Sequence, residues 1–216
     1  MKNLFKFIGH YWKAVIAIVA ILAVQAYCDL SRPAYTSDIV NVGIQQGGIE
    51  DKVPAAISEE EWNKVMLFVS QKDQDTVKDA YEKDESSYDK TAFVLKDFVK
   101  EDETALKKVE DVLALPMMVT SGFESGSKQT QKMEKKLKKQ IPKEMLTEDT
   151  TVFDILQMMP QESREELVKE IKKEMKDMPD MILEQAAVSY ARNAYQDLGM
   201  DVDQMQYHYL LHIKHR

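Results

Sequence analysis

Two patterns of apolar residues divide the chain. Residues 1–13 mix apolar and basic positions at helical spacing, and residues 14–28 then run without a charged side chain. From residue 45 onward, short apolar stripes recur every three or four positions among many charged residues. That spacing predicts amphipathic helices, whereas the alternation typical of strands is nearly absent. We therefore predict an all-α fold.

The first 13 residues are predicted to form an amphipathic helix at a membrane surface. Tyr11 and Trp12 belong to its apolar side, and aromatic rings of this kind favour the level of the lipid headgroups. Lys6 and Lys13 fall between the apolar positions, where their ammonium groups reach water and anionic lipid. We expect these four residues to anchor the helix. The alternative is the charged first part of a signal peptide.

Residues 14–44 are predicted to form a transmembrane helix and its extension. The uncharged stretch is shorter than the roughly 20 residues that span a bilayer, but Tyr11, Trp12 and Leu30 lengthen it if Lys13 snorkels. A signal peptide cleaved after Ala26 is the rival interpretation, because residues 24–26 resemble a small-x-small cleavage site. Apolar periodicity continues past that point, which favours a retained span.

Charges on either side of this span predict its orientation. Lys2, Lys6 and Lys13 precede it, whereas Asp29, Arg32 and Asp38 follow it. Positive residues favour the cytoplasmic side, so we expect a cytoplasmic N-terminus in the cell membrane. Residues 45–205 then form an extracytoplasmic domain.

A short motif follows the uncharged stretch. Residues 31–44 read Ser-Arg-Pro-Ala-Tyr-Thr-Ser-Asp-Ile-Val-Asn-Val-Gly-Ile. They resemble the end of the first transmembrane helix of bacterial ABC exporters, where a proline precedes a small residue, Asp-Ile-Ile/Val, Asp/Asn, any residue, Gly and Ile. The matching positions are Pro33, Ser37, Asp38, Ile39, Val40, Asn41, Gly43 and Ile44. From the residues alone, the stretch after Pro33 is also compatible with a loop, strand or turn.

The flanking regions extend this resemblance. The amphipathic start looks like the elbow helix that precedes the first span in the same family. The acidic helical region is similar to the large external domain that some Firmicute-type half-transporters carry between spans one and two. The resemblance implies the N-terminal fragment of an ABC exporter subunit. Its expected partners are the lipid bilayer and the remaining transporter segments or a second half-transporter, as a homodimer or heterodimer.

The intact relative would use ATP and Mg to export small molecules, lipids or peptides. A phosphate-binding loop needs G-x-x-x-x-G-K-[ST], and here residues 43–48 have the glycine spacing while Ile49 and Glu50 replace the required Lys and Ser/Thr. We therefore expect no cofactor in this chain, no enzymatic activity and no transport by the chain alone. Residues 206–216 look like a truncated approach to a second transmembrane helix.

Composition and motif content argue against nucleic-acid binding, a metal site and catalysis. The chain is 44% apolar and 31% charged, with a net charge of −8, which argues against nucleic acid as a partner. A single cysteine, Cys28, excludes an internal disulfide. His208, His212 and His215 have the spacing of one helix face, but no carboxylate or cysteine accompanies them, and we predict no metal site. No catalytic motif is present.

The acidic domain is predicted to consist of short helices. Ser58 and Glu61 have the spacing of a capping box, Ser121–Ser127 read as a loop, and Gly199 as a helix end before a cap at Asp201 or Asp203. The stripes assigned to buried helix faces include Trp62, Val65, Val77, Ala80, Tyr81, Phe93, Val94, Phe98, Val109, Leu113, Leu167, Ile171, Met175, Met181, Ala187, Tyr190 and Ala194. The lysines of residues 128–143 surround their helix axis and indicate a solvated surface.

The alternative function is a membrane-anchored or secreted helical binding domain without an ATPase.

Overall fold

The structure is a computed structural model that describes residues 16–26, 46, 48, 49, 52–126, 128–140, 147 and 150–206. In this part the chain forms helices and three short strands. The helices are α1 (residues 16–26), α2 (Glu59–Met66), α3 (Gln71–Ala80), α4 (Asp97–Glu101), α5 (Glu103–Glu124), α6 (Lys128–Gln140), α7 (Val152–Met158), α8 (Gln161–Glu174), α9 (Asp180–Asp197) and α10 (residues 202–206). The strands are β1 (Ala56–Ser58), β2 (Tyr81–Asp84) and β3 (Ala92–Leu95).

The predicted predominance of helix is confirmed, but the all-α assignment is wrong. The three strands form an antiparallel sheet in the order β1-β3-β2, with Phe93 opposite both Ile57 and Lys83. Tyr81, Phe93 and Val94, which were predicted to lie in helices, therefore lie in strands. These strands have four residues or fewer, and their burial does not alternate, so the two-residue period that identifies a strand is missing.

The main core lies between the sheet, α2, α5 and α9. The helix α9 packs along α5, with Ala187 and Ala194 in one apolar cluster with Val109 and Leu113. Alanine side chains are short, so the two helices can approach closely. On the sheet side, the indole of Trp62 stacks on the Phe93 ring at 4.5 Å between centroids. This core fixes the relative positions of α2, α5 and α9.

A second apolar cluster holds α6, α7 and α8. Leu137 of α6, Ile155 of α7 and Ile171 of α8 are buried together with Phe68 and Val119. The predicted line on α8 is confirmed, since Leu167 and Met175 pack partly buried against Ile171. The cluster attaches α6, α7 and α8 to the far side of α5.

Several helix ends follow the predicted capping signals. Gly199 has a φ of 75°, its N–H bonds to Gln196 O at 3.0 Å, and the Met200 N–H bonds to Tyr195 O at 2.9 Å. These two bonds make a Schellman motif that ends α9. Asp201 caps α10, because its Oδ1 accepts hydrogen bonds from Asp203 N and Gln204 N.

The predicted capping box at Ser58 is only half formed. Ser58 Oγ accepts a hydrogen bond from Glu61 N at 3.4 Å. The Glu61 carboxylate instead accepts hydrogen bonds from Tyr190 and Lys64. A contact with a distant part of the chain has replaced the local one.

The predicted loop at Ser121–Ser127 is also partly wrong, because α5 continues to Glu124. The Phe123 ring stacks on Phe68 with 5.7 Å between centroids. Thr120 Oγ1 donates a hydrogen bond to Pro116 O at 2.9 Å within the same helix. Tertiary burial of this end of α5 therefore outweighs the loop preference of its glycine and serine residues.

Two smaller predictions fail on exposure. Phe98 is 60% exposed and Met181 is 69% exposed, although both were assigned to buried stripes. The helix α4 has only five residues and buries Val99, while the buried positions of α9 begin at Ala187. On α6, the exposure of Lys132, Lys135 and Lys136 agrees with the predicted solvated surface.

The predicted membrane segments fall largely outside the described residues. Of residues 14–44 the structure describes α1, and of residues 1–13 it describes none. Residues 207–216 also lie outside it. Among the helices that the structure describes, none combines the length and the apolar content needed to cross a bilayer.

Candidate functional site

The site residues predicted from the sequence cannot be placed by this structure. The membrane-anchoring set of Lys6, Tyr11, Trp12 and Lys13 lies outside the described residues, as does the motif from Pro33 to Ile44. The same holds for His208, His212 and His215. The described residues offer three features that bear on function: the surface of α1, the meeting of the domain's two ends, and a charged network beside a cavity.

Apolar side chains cover the whole circumference of α1. At 100° per residue, its six large apolar residues point in all directions around the axis, and each is at least half exposed: Ile16, Ile18, Val19, Ile21, Leu22 and Val24. A helix that is apolar on all sides is typical of a protein core or a membrane. Exposure of this surface to water is unfavourable, so α1 requires an apolar environment.

The two ends of the acidic domain meet in one apolar cluster. Ile49, at the start of the domain, is buried with Val188, Tyr195 and Val202, and Val202 belongs to α10 at its end. Close by, Ala55 N donates a hydrogen bond of 2.7 Å to the Tyr195 hydroxyl. The chain therefore enters and leaves the domain on the same side of α9.

A charged network lies on the other side of α9. The Lys64 ammonium contacts three carboxylates, with 2.6 Å to Glu61, 3.0 Å to Glu60 and 3.0 Å to Glu124. The Tyr190 hydroxyl donates a hydrogen bond of 2.8 Å to Glu61 Oε2. These contacts join α2, α5 and α9 through residues far apart in sequence.

The network raises the pKa values of Lys64, Glu124 and Tyr190. Burial alone would lower the pKa of Lys64, but its hydrogen bonds to Glu61, Glu124 and Glu60 outweigh burial and raise it. Burial raises the pKa of Glu124, helped by the charge of Glu61 and opposed by Lys64. Burial and the charge of Glu61 raise the pKa of Tyr190. Lys64 therefore stays protonated and cannot serve as a general base near neutral pH.

A cavity of about 710 Å³ opens beside Lys64, between α2, α5, α6 and α7. Phe123 and Phe153 line it, together with the charged residues Glu60, Lys64, Glu124, Glu134, Lys138 and Asp154. Most of these charged groups have a partner: the Lys138 ammonium pairs with Glu134 at 2.7 Å, and the Asp154 carboxylate accepts a hydrogen bond from Thr151 N at the start of α7. The cavity thus has an aromatic wall and a rim on which most of the charges are paired or hydrogen-bonded.

In the residues that it describes, the structure provides no group of three or more His, Cys, Asp or Glu side chains that could hold a metal ion. Sequence reasoning missed the Lys64 network altogether. Tyr190 and Glu61 are 129 positions apart, and the sequence assigned Glu61 only to the local capping box at Ser58. Only the burial of Tyr190 was predicted, from its place on the apolar stripe of α9.

Comparison with known proteins adds no relative: no family model, no curated protein and no solved structure matches this chain.

Proposed function

We propose that this chain is part of the transmembrane domain of an ATP-driven ABC exporter. Residues 14–44 would form the first span and its extension, and residues 45–205 the extracytoplasmic domain. The motif from Pro33 to Ile44 and the apolar surface of α1 support this assignment. The family resemblance rests on about a dozen residues of sequence.

One structural observation carries the proposal. The burial of Ile49 with Tyr195 and Val202 brings the two ends of the acidic domain together. A domain inserted between two neighbouring antiparallel spans must leave and rejoin the membrane at nearby points. Adjacent ends allow such an insertion without disturbing the packing of the spans.

ATP would be bound elsewhere in the assembly. The printed sequence contains no G-x-x-x-x-G-K-[ST] loop, so the nucleotide-binding domain would come from another segment or subunit. The partners are accordingly the lipid bilayer and the rest of the transporter, or a second half-transporter. The chain's own contribution is membrane insertion and the external domain.

Cysteine labelling in intact cells tests the topology. Starting from Cys28→Ser, a cysteine is placed at Asp89, an exposed position in the β2–β3 connection, or at Lys2 as the matched control. We expect a membrane-impermeant maleimide to label position 89 in intact cells and position 2 only after lysis. Labelling of position 89 only after lysis would contradict the extracytoplasmic placement.

Purification in detergent separates the exporter from the alternative binding domain. We expect that the full chain, extracted from its native membrane, co-purifies with and so retains a second polypeptide that carries a G-x-x-x-x-G-K-[ST] motif. An Ile49→Asp variant, which disrupts the meeting of the domain ends, should weaken that retention, whereas Asp89→Asn should not. A membrane-inserted chain that retains no such polypeptide would favour a membrane-anchored binding domain.

A further inference from the structure

A polar groove lies on α9, on the side where the domain begins. Its volume is about 500 Å³, and Gln46 forms one wall. The other wall is a stripe of α9 that consists of Gln185, Ser189, Arg192, Asn193 and Gln196. These positions share one helix face because they are three or four residues apart, while Ala187, Tyr190 and Ala194 on the opposite face are buried against α5. The packing of α9 therefore fixes the direction of the stripe.

The charge of this groove is unusual for such an acidic protein. Arg192 is the one charged residue among the described side chains that line it; apart from Val188, the others offer amides and a hydroxyl. The neighbouring acids of α9 are engaged elsewhere, since Glu184 pairs with Lys52 at 2.7 Å and Asp197 with Lys90 at 2.6 Å. The groove thus presents a guanidinium surrounded by neutral hydrogen-bonding groups.

The guanidinium of Arg192 makes only a weak ion pair. Its ion pair with Asp203 spans 3.8 Å, and the Asp203 side chain is 86% exposed. An exposed pair at that distance contributes little to stability, so a ligand can replace Asp203 at small cost. Guanidinium groups bind phosphate through two parallel hydrogen bonds, and amide groups bind the remaining oxygens and hydroxyls.

We infer that this groove binds a phosphate monoester or phosphodiester through Arg192, with the amide stripe holding the polar groups attached to it. Gln46 lies close in sequence to the predicted span. We therefore assign the phosphate ester to the headgroup of an anionic phospholipid. This choice of source rests on the proposed function. A soluble phosphate ester would present the same chemistry to the groove.

Native mass spectrometry of the detergent-solubilised full chain tests the inference. The lipid probes are dioleoyl-phosphatidylglycerol and dioleoylglycerol, which share acyl chains and differ in the phosphate, and the soluble probe is glycerol 3-phosphate. We expect Arg192→Gln to weaken phosphatidylglycerol binding about tenfold, because a charge-assisted bidentate contact is lost. Arg164→Gln on α8 removes the same charge elsewhere and should leave binding within about twofold.

Three further variants separate a loss of binding from a folding defect. Ser189→Glu adds a carboxylate to an exposed position of the groove and should weaken binding, whereas Ser163→Glu on α8 should not. Asp203→Asn frees Arg192 and should strengthen binding two- to threefold. Circular dichroism melts establish that each variant is folded.

The outcomes separate the possible sources. Arg192-dependent binding of phosphatidylglycerol supports a lipid headgroup. Arg192-dependent binding of glycerol 3-phosphate alone supports a phosphate site that is filled from solution, even if the chain proves not to reside in a membrane. Equal binding of both lipids, or equal binding by Arg192→Gln and Arg164→Gln, would overturn the inference while leaving the exporter assignment standing.

Discussion

At the scale of single residues, Tyr190 and Glu61 link parts of the chain that are distant in sequence. The Tyr190 ring is buried, and its hydroxyl donates to a carboxylate that also holds the Lys64 ammonium. The Glu61 side chain is only 13% exposed, so losing a donor would leave its carboxylate without a full replacement for the water that it has lost. The pair therefore fixes where α9 lies against α2.

Tyr190→Phe tests this link with little change in volume. The variant removes one donor from Glu61 and should lower the free energy of unfolding by about 2 kcal/mol, the usual value for a hydrogen bond to a charged group. Urea unfolding of the full chain in detergent, followed by circular dichroism, measures it. Tyr88→Phe removes the hydroxyl of a half-buried tyrosine and serves as the control, with an expected change below about 0.5 kcal/mol. Equal effects of the two variants would contradict the account.

Glu124 predicts a pH dependence. Its folded pKa is raised above the ordinary 4.5, chiefly by burial. A raised folded pKa stabilises the fold fully below the unfolded pKa, and that contribution is lost as the pH rises through the folded pKa. Glu124→Gln stays neutral, so the unfolding free energy of the wild type minus that of the variant should fall as the pH increases from 4 to 8. Urea titrations at each pH measure this difference; a constant or rising difference would contradict the assignment.

At the scale of elements, sequence patterns predicted features that local signals determine and failed where distant contacts determine the structure. Ile171 and Gly199 were placed correctly, because helical periodicity and the glycine stop signal are local. Phe93 was misplaced, because its strand is defined by pairing with Ile57 and stacking on Trp62, which are distant contacts. Phe123 was misplaced for the same reason, since its burial against Phe68 keeps it helical.

The end of α9 offers an element-scale prediction. Gly199 has a φ of 75°, and a Cβ added there would meet no atom within 4 Å. The cost of Gly199→Ala therefore comes from the left-handed backbone alone, and we expect a loss of about 1 kcal/mol. Gly199→Asn should cost less, since asparagine tolerates this conformation. Thermal melts rank the three proteins, and an alanine variant as stable as glycine would show that the Schellman motif does not hold this end.

At the scale of the whole molecule, the sequence predicted membrane regions and an acidic helical domain. The motif from Pro33 to Ile44 lies outside the described residues, so its role stays a prediction. The meeting of Ile49 with Val202 had no signal in the sequence, because apolar residues at the two ends of a domain do not specify each other. The groove around Arg192 also had no signal in the sequence, since its residues are ordinary polar positions of a surface helix.

The central claim is that residues 14–44 hold this chain in a bilayer. Extraction of cell membranes with alkaline carbonate tests it most directly, because it releases peripheral proteins and leaves membrane-spanning ones behind. The account predicts that the chain, with its initiating methionine, stays in the membrane pellet. Complete release of an intact chain into the carbonate supernatant, or recovery of a chain that begins after Ala26, would contradict it.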